Sequence, residues 1–138
     1  MLYSKKIHLK KATYFLLISV TAFVFGCKDS KEKINLKKGQ ELFTSVGCAT
    51  CHSLSGDKDK LYGPSLNAIL GTKTKVIRNN KEYSFFIDRN YIKKSIIDPD
   101  YEKPLLFKSN KMPKPSLTNF EVECITDYLI SINNKSIE

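Results

Sequence analysis

Arginine is nearly missing from this chain: of 23 basic residues only Arg78 and Arg89 are arginines, and the rest are lysines. Bidentate readout of phosphate or guanine therefore has few candidates. Histidine is as scarce, at His8 and His52, and methionine is confined to Met1 and Met112. The four cysteines, Cys27, Cys48, Cys51 and Cys124, supply a single Cys-x-x-Cys pair. A structural zinc site usually takes two such pairs. No apolar run is long enough to cross about 30 Å of hydrocarbon comfortably, and no segment repeats. The length, 138 residues, fits one compact domain plus extras. Its apolar side chains make a modest core, which a large buried cofactor would extend.

The longest apolar stretch, ATYFLLISVTAFVFG, has about 15 residues and follows Lys5, Lys6, Lys10 and Lys11. A basic flank, an apolar middle and a small residue before a cut site read as a secretory signal over residues 1–26. An uncleaved anchor is the alternative, and both readings export the remainder. Export argues against nucleic acid as a partner. Val24-Phe25-Gly26-Cys27 resembles a bacterial lipoprotein signal, which implies that Cys27 becomes the first mature residue and carries lipid. A spare cysteine in a cleaved leader is the other reading of Cys27. Several acyl chains at ~0.8 kcal/mol per buried methylene hold a small protein on a membrane. Loss of residues 1–26 removes four lysines and no acids, so the formal charge falls from +9 to +5. That charge suits a solvated face, or a docking face for an acidic protein. KDSKEKIN, residues 28–35, is polar and has no apolar period. Residues 27–35 therefore read as a lipidated N-terminus and short tether, and 36–138 as the domain.

Within that domain Leu36–Val46 has helical spacing, with Asn35 to cap it and Gly47 to end it. Gly39 lies inside, where glycine costs about 1 kcal/mol relative to alanine, one turn before Phe43 on the same face. Residues 53–64 are loop-like, and GPSLNAILG allows a short helix after Pro64. KVIRNN and KEYSFFI flank Asn79-Asn80, which suggests a small hairpin. Asp88 can cap a helix carrying Tyr91, Ile92, Ile96 and Ile97, which must stop before Pro99. Four prolines between 98 and 117 indicate a long ordered loop. Thr118 with Glu121 is a capping-box pattern. It opens a last helix with Phe120, Cys124 and Tyr128 on one strip and Ile125, Leu129 and Ile132 beside it.

Cys48-Ala-Thr-Cys51-His52 admits three readings. A thioredoxin-like pair needs a strand–helix setting, whereas this motif follows a helix ended by Gly47. Zinc needs ligands the chain does not supply in pairs. Cys-x-x-Cys-His as a site of covalent heme attachment uses every residue. The two thiols add to the heme vinyl groups, and the adjacent imidazole reaches iron. His8 leaves with the signal, so two histidines cannot ligate iron within one mature chain. Met1 leaves too, so Met112 is the one thioether available as sixth ligand. Lysine or an open position is the competing ligation, with Met112 then a loop residue packed on the heme edge. Histidine with methionine raises the potential relative to two nitrogen ligands. Pro113 and Pro115 restrict the methionine loop. The free ring N–H of His52 should donate to a backbone carbonyl. Pro64 is the candidate, unless it only punctuates a turn.

Gly39 and Phe43, the CATCH box, Gly63-Pro64-x-Leu66, Met112-Pro113 and Ile125-x-x-Tyr128-Leu129 together resemble a class I cytochrome c over nearly all of residues 36–132. The resemblance implies a small all-α fold with crossed first and last helices around one heme c, and a short hairpin insertion. It implies Gly39 against Tyr128 with Phe43 beside it. It also implies heme contacts from Cys48, Cys51, His52, Gly63, Pro64, Leu66 and Met112, with His52 and Met112 on the metal. DRNYIKKSIIDPDYEKP and KVIRNNKEYSFFI are similar to stretches of the cytochrome c domain fused to subunit II of some heme–copper oxidases. Leu66, Ile69, Ile96 and Leu105 either line the heme pocket or fill core. Arg78, Tyr83 and Tyr91 either approach the propionates or serve the surface and the fold. Cys124 reads as a buried small hydrophobe.

The expectation is a monomeric, membrane-tethered, exported lipoprotein on the periplasmic side of a membrane. It would not be an enzyme but would carry single electrons to a respiratory oxidase or reductase. A heme enzyme or gas or redox sensor with an open or labile sixth ligand is the alternative.

Overall fold

The structure, a computed structural model, describes residues 27–55 and 62–135, with the side chains of 27–34 and 134–135 excepted. The expected signal, residues 1–26, and the side chain of Cys27 lie outside the described residues. The chain divides into two compact units, Met1–Ile34 and Asn35–Glu138. In the first, only the backbone of 27–34 is described, and it is helical.

Helix α1 spans Cys27–Ser45, so it starts well before the expected cap at Asn35. No glycine or proline interrupts residues 27–38, and lysine and glutamate are good helix formers. Polarity in this stretch removes the apolar period by which a helix is read, not the helix itself. Asn35 instead lies within α1, its Oδ1 4.0 Å from the Cys124 thiol. Gly47 ends the helix as expected: its φ of 90° is left-handed, which glycine adopts without a Cβ penalty.

Helix α2 (Arg89–Ile97) is capped by Asp88, whose carboxylate accepts from Tyr91 N at 2.7 Å. It buries Ile92 and Ile96, one turn apart. Helix α3 (Asn119–Lys135) opens on the expected capping box. Thr118 N donates to Glu121 Oε2 at 2.8 Å, and Glu121 N donates to Thr118 Oγ1 at 3.3 Å. Leu42, Phe43, Ile92, Ile96, Val122, Cys124, Ile125 and Leu129 from the three helices form the core. Cys124 is fully buried there. Phe120, expected on the buried strip, is 58% exposed. The inward face of α3 joins the expected Cys124, Ile125 and Leu129 to Val122, Thr126 and Asn133, all buried. Thr126 satisfies its hydroxyl on Val122 O at 2.7 Å.

The fold is not all-α. Strands β1 (Lys73–Arg78) and β2 (Lys81–Phe86) form the expected hairpin, with Arg78 opposite Lys81. Asn79 and Asn80 have φ of 48° and 60°, the paired left-handed values of a two-residue hairpin turn. A third strand, β3 (Lys103–Pro104), adds antiparallel to β1, giving the order β2-β1-β3. It falls where only loop was expected. Two residues ending in proline carry no strand pattern, and proline is tolerated there because the strand lies at the sheet edge.

The expected short helix after Pro64 is also absent. Ala68 takes a left-handed φ of 51°, which breaks a right-handed helix at once.

Helices α1 and α3 meet backbone to backbone. A Cβ on Gly39 would stand 2.1 Å from Cys124 O and 2.7 Å from Tyr128 Cβ. Phe43 lies beside the crossing, its ring 6.0 Å from that of Tyr128. Close approach thus outweighs the helix penalty of glycine at this position. Gly39→Ala should destabilise the protein by about 1–3 kcal/mol, the usual cost of overpacking, although alanine is the better helix former. Chemical denaturation reads the change, and an unchanged or raised midpoint would mean that the helices do not pack at Gly39.

Candidate functional site

The turn after α1 gathers the reactive groups. Gly47 reverses the chain into a 3-10 turn, Cys48–Thr50. His52 N and Cys51 N both donate to Cys48 O, at 3.0 and 3.2 Å. Two thiols and an imidazole therefore leave a single tight loop. Both thiols are free and half-buried. Burial pushes the Cys48 thiol up; its own backbone N–H pulls it down, and Cys51 adds to the rise.

A second segment holds the imidazole. His52 Nδ1 lies 2.8 Å from Pro64 O. A carbonyl only accepts, so Nδ1 carries the proton and the lone pair is left on Nε2. Gly63 lies against the ring: a Cβ there would be 2.6 Å from His52 Cε1 and 3.0 Å from Nε2. Here glycine serves close packing on a side chain. Gly63 N donates to Cys51 O at 2.9 Å, and Leu66 N to Ser53 O at 2.8 Å, so the two segments are laced together along their backbones. Leu66 and Ile69 pack against the core.

This segment is anchored from behind by a residue the sequence reading missed. Asn133, 1% exposed, accepts on Oδ1 from Ile69 N at 2.6 Å and Leu70 N at 3.2 Å. Its amide donates to Leu66 O at 3.0 Å and to Leu129 O at 2.8 Å. One side chain thus satisfies backbone groups that a helical turn would otherwise have paired. The signal was present: Asn133 continues the Val122, Ile125, Leu129 face of α3, and a polar residue on an apolar face is a buried hydrogen-bonding group.

Cys48, Cys51, His52, Gly63, Pro64 and Leu66 are therefore brought together. Met112 is half-buried on the loop leading to α3, and the two residues before it, Asn110 and Lys111, hydrogen-bond to Tyr62. Among the described residues no three His, Cys, Asp or Glu side chains gather as a metal site. Arg78 sits between the rings of Tyr83 and Tyr101, 4.8 and 4.9 Å from their centres, and pairs with Glu102. Tyr91 packs edge-on against Phe85 at 5.1 Å. These contacts belong to the sheet and its flank.

Paired free thiols on one turn, and an adjacent imidazole held with Nε2 available, fit a covalently attached iron porphyrin. Among the described residues no further Cys, His, Asp or Glu joins them to complete a zinc cage. The family model for cytochrome c matches residues 36–133, well over half of the chain. The protein belongs to that family and carries one covalent heme c.

Replacing Asn133, itself 1% exposed, by alanine strips its bonds from two N–H groups and a carbonyl on the half-buried residues Ile69, Leu70 and Leu66. At ~1–3 kcal/mol for each such group, with relaxation, the expected loss is about 3 kcal/mol by denaturant titration. A loss below about 1 kcal/mol would show that the loop finds other partners.

Proposed function

We propose that this heme-based electron carrier is closed on both iron faces, by His52 and Met112, and works tethered to a membrane beside a respiratory oxidase or reductase. The observation that supports the reading of His52 is the 2.8 Å contact of its Nδ1 with Pro64 O, which puts the ring proton on Nδ1 and leaves the Nε2 lone pair for iron. The bound heme supplies a one-electron iron couple. Cys48 and Cys51 hold it covalently. Gly63 and Pro64 keep the imidazole from rotating, and Met112 supplies the thioether opposite. Histidine with methionine favours the reduced state relative to two nitrogen ligands. Two permanent ligands leave no place for a substrate, which suits a carrier and not an enzyme.

The partner reading rests on charge and on likeness. Lys108, Lys111 and Lys114 flank Met112 and are exposed, a face that would steer an acidic protein surface. The hairpin β1–β2 and the stretch from Asp88 to Pro104 resemble the cytochrome c domain fused to subunit II of heme–copper oxidases. Export and lipid attachment at Cys27 rest on the sequence of residues 1–27. They would keep a monomer on the periplasmic side of the membrane, close to that partner.

Met112→Ala should lower the midpoint potential by on the order of 0.1 V, within the ~0.8 V that axial ligands span. It should also let the reduced protein bind carbon monoxide. Redox titration with optical detection checks both, and a spectrum and midpoint identical to wild type would remove Met112 from the iron. Electron exchange with an acidic partner should slow several-fold as salt rises to 0.15 M, where the Debye length is ~8 Å. A stopped-flow rate independent of salt would dismiss the lysine face.

A further inference from the structure

We propose that Tyr62 and Asn110 are positioning residues: they clasp the cradle of His52 to the loop carrying Met112 and set how fast the methionine sulfur leaves the iron. The proposal rests on Met112 as axial ligand.

Tyr62 immediately precedes Gly63, whose N–H is fastened to Cys51 O at 2.9 Å, and Pro64 follows. Tyr62 therefore belongs mechanically to the histidine side of the site. It offers two acceptors. Its backbone carbonyl takes the Asn110 side-chain amide at 2.6 Å. Its phenolic oxygen takes the backbone N–H of Lys111 at 3.1 Å. Asn110 and Lys111 are the two residues before Met112. Asn110 is held further by its own N–H on Phe107 O at 3.0 Å and by Lys103 Nζ on its carbonyl at 3.2 Å.

The two flanks of Met112 are thus restrained in different ways. On the C-terminal side Pro113 and Pro115 fix φ covalently and cannot open. On the N-terminal side the restraint is hydrogen bonds, which can. A swing of the Met112 backbone away from iron moves Lys111 and Asn110, and so breaks their bonds to Tyr62. Tyr62 is 53% exposed, so water competes for these groups and each bond contributes modestly. The clasp therefore acts as a gate on the rate of opening, not as a permanent lock.

The test uses the oxidised holoprotein with imidazole as probe. At high imidazole the binding rate reaches a plateau equal to the rate at which Met112 leaves. Tyr62→Phe removes only the bond to Lys111, and Asn110→Ala removes its side-chain bond to Tyr62 O. Each should raise the plateau about three- to tenfold, the range of a typical net hydrogen bond. The Lys111 amide should exchange faster in Tyr62→Phe. Asp88→Ala, which removes the α2 cap and lowers stability elsewhere, should leave the plateau unchanged. Wild-type plateaus in both clasp variants would overturn the proposal, as would an equal rise in Asp88→Ala. If the unaltered protein binds imidazole without a plateau and as fast as Met112→Ala, Met112 is not on the iron and the clasp falls with it. A plateau that survives in wild type while the clasp variants match it sinks the clasp alone.

Discussion

The backbone contact between α1 and α3 at Gly39 orders everything downstream. A Cβ there is excluded by the Cys124 carbonyl and Tyr128 Cβ, so the two helices meet without a side chain between them. That crossing fixes where α1 ends, and so where Gly47 turns the chain and releases Cys48, Cys51 and His52. It also fixes where α3 ends, and so where Asn133 reaches the loop at Leu66, Ile69 and Leu70. The same loop presents Pro64 O to His52 Nδ1. Two helix ends, set by one crossing, thus hold opposite sides of a single imidazole.

Local chemistry was legible in the sequence wherever a residue type has one dominant use. Gly47, the Asn79-Asn80 turn, the Asp88 cap and the Thr118–Glu121 box each solve a backbone problem within four residues. The heme motif is of this kind too, because its chemistry is contained in five consecutive positions. Pro64 as partner of His52 was reachable because a metal-bound imidazole needs an acceptor. What stayed hidden depends on residues distant in sequence. Asn133 replaces a helix at 66–70 from more than sixty positions away. Lys103–Pro104 becomes a strand only because β1 offers an edge. Tyr62 meets Asn110 across 48 positions, and nothing in either residue names the other. The early start of α1 was missed for a different reason: a polar helix has no period to read.

The site combines stiffness of two origins. The histidine side is laced by backbone hydrogen bonds from 51–53 to 63–66 and packed without a gap at Gly63. The loop around Met112 is stiffened by rings in the chain itself. Restraints of these two kinds oppose rearrangement of the chain around His52 and Met112. That is the requirement on a carrier, because any rearrangement would add to the barrier for transfer.

Charge is distributed to the same end. Glu123 and Asp127 on α3 engage Arg89, and Glu123 also engages Lys93, on α2. Glu102 engages Arg78 and Asp100 engages Lys103. Lys93 draws the Glu123 carboxyl below its ordinary value, with Arg89 assisting. Of these pairs, the more exposed ones between α2 and α3 add little stability. Their effect is to cancel acidic field locally, on α3 and beside the sheet. The positive excess of the domain is then carried by lysines such as Lys108, Lys111 and Lys114, beside the methionine. On the proposed reading, a partner arriving from solution would meet positive charge beside Met112. The sequence composition, rich in lysine and poor in arginine, suits that use. Compact, strongly hydrated ammonium groups attract at long range and release readily, whereas guanidinium forks would hold. A carrier that must dissociate after each electron needs the first behaviour.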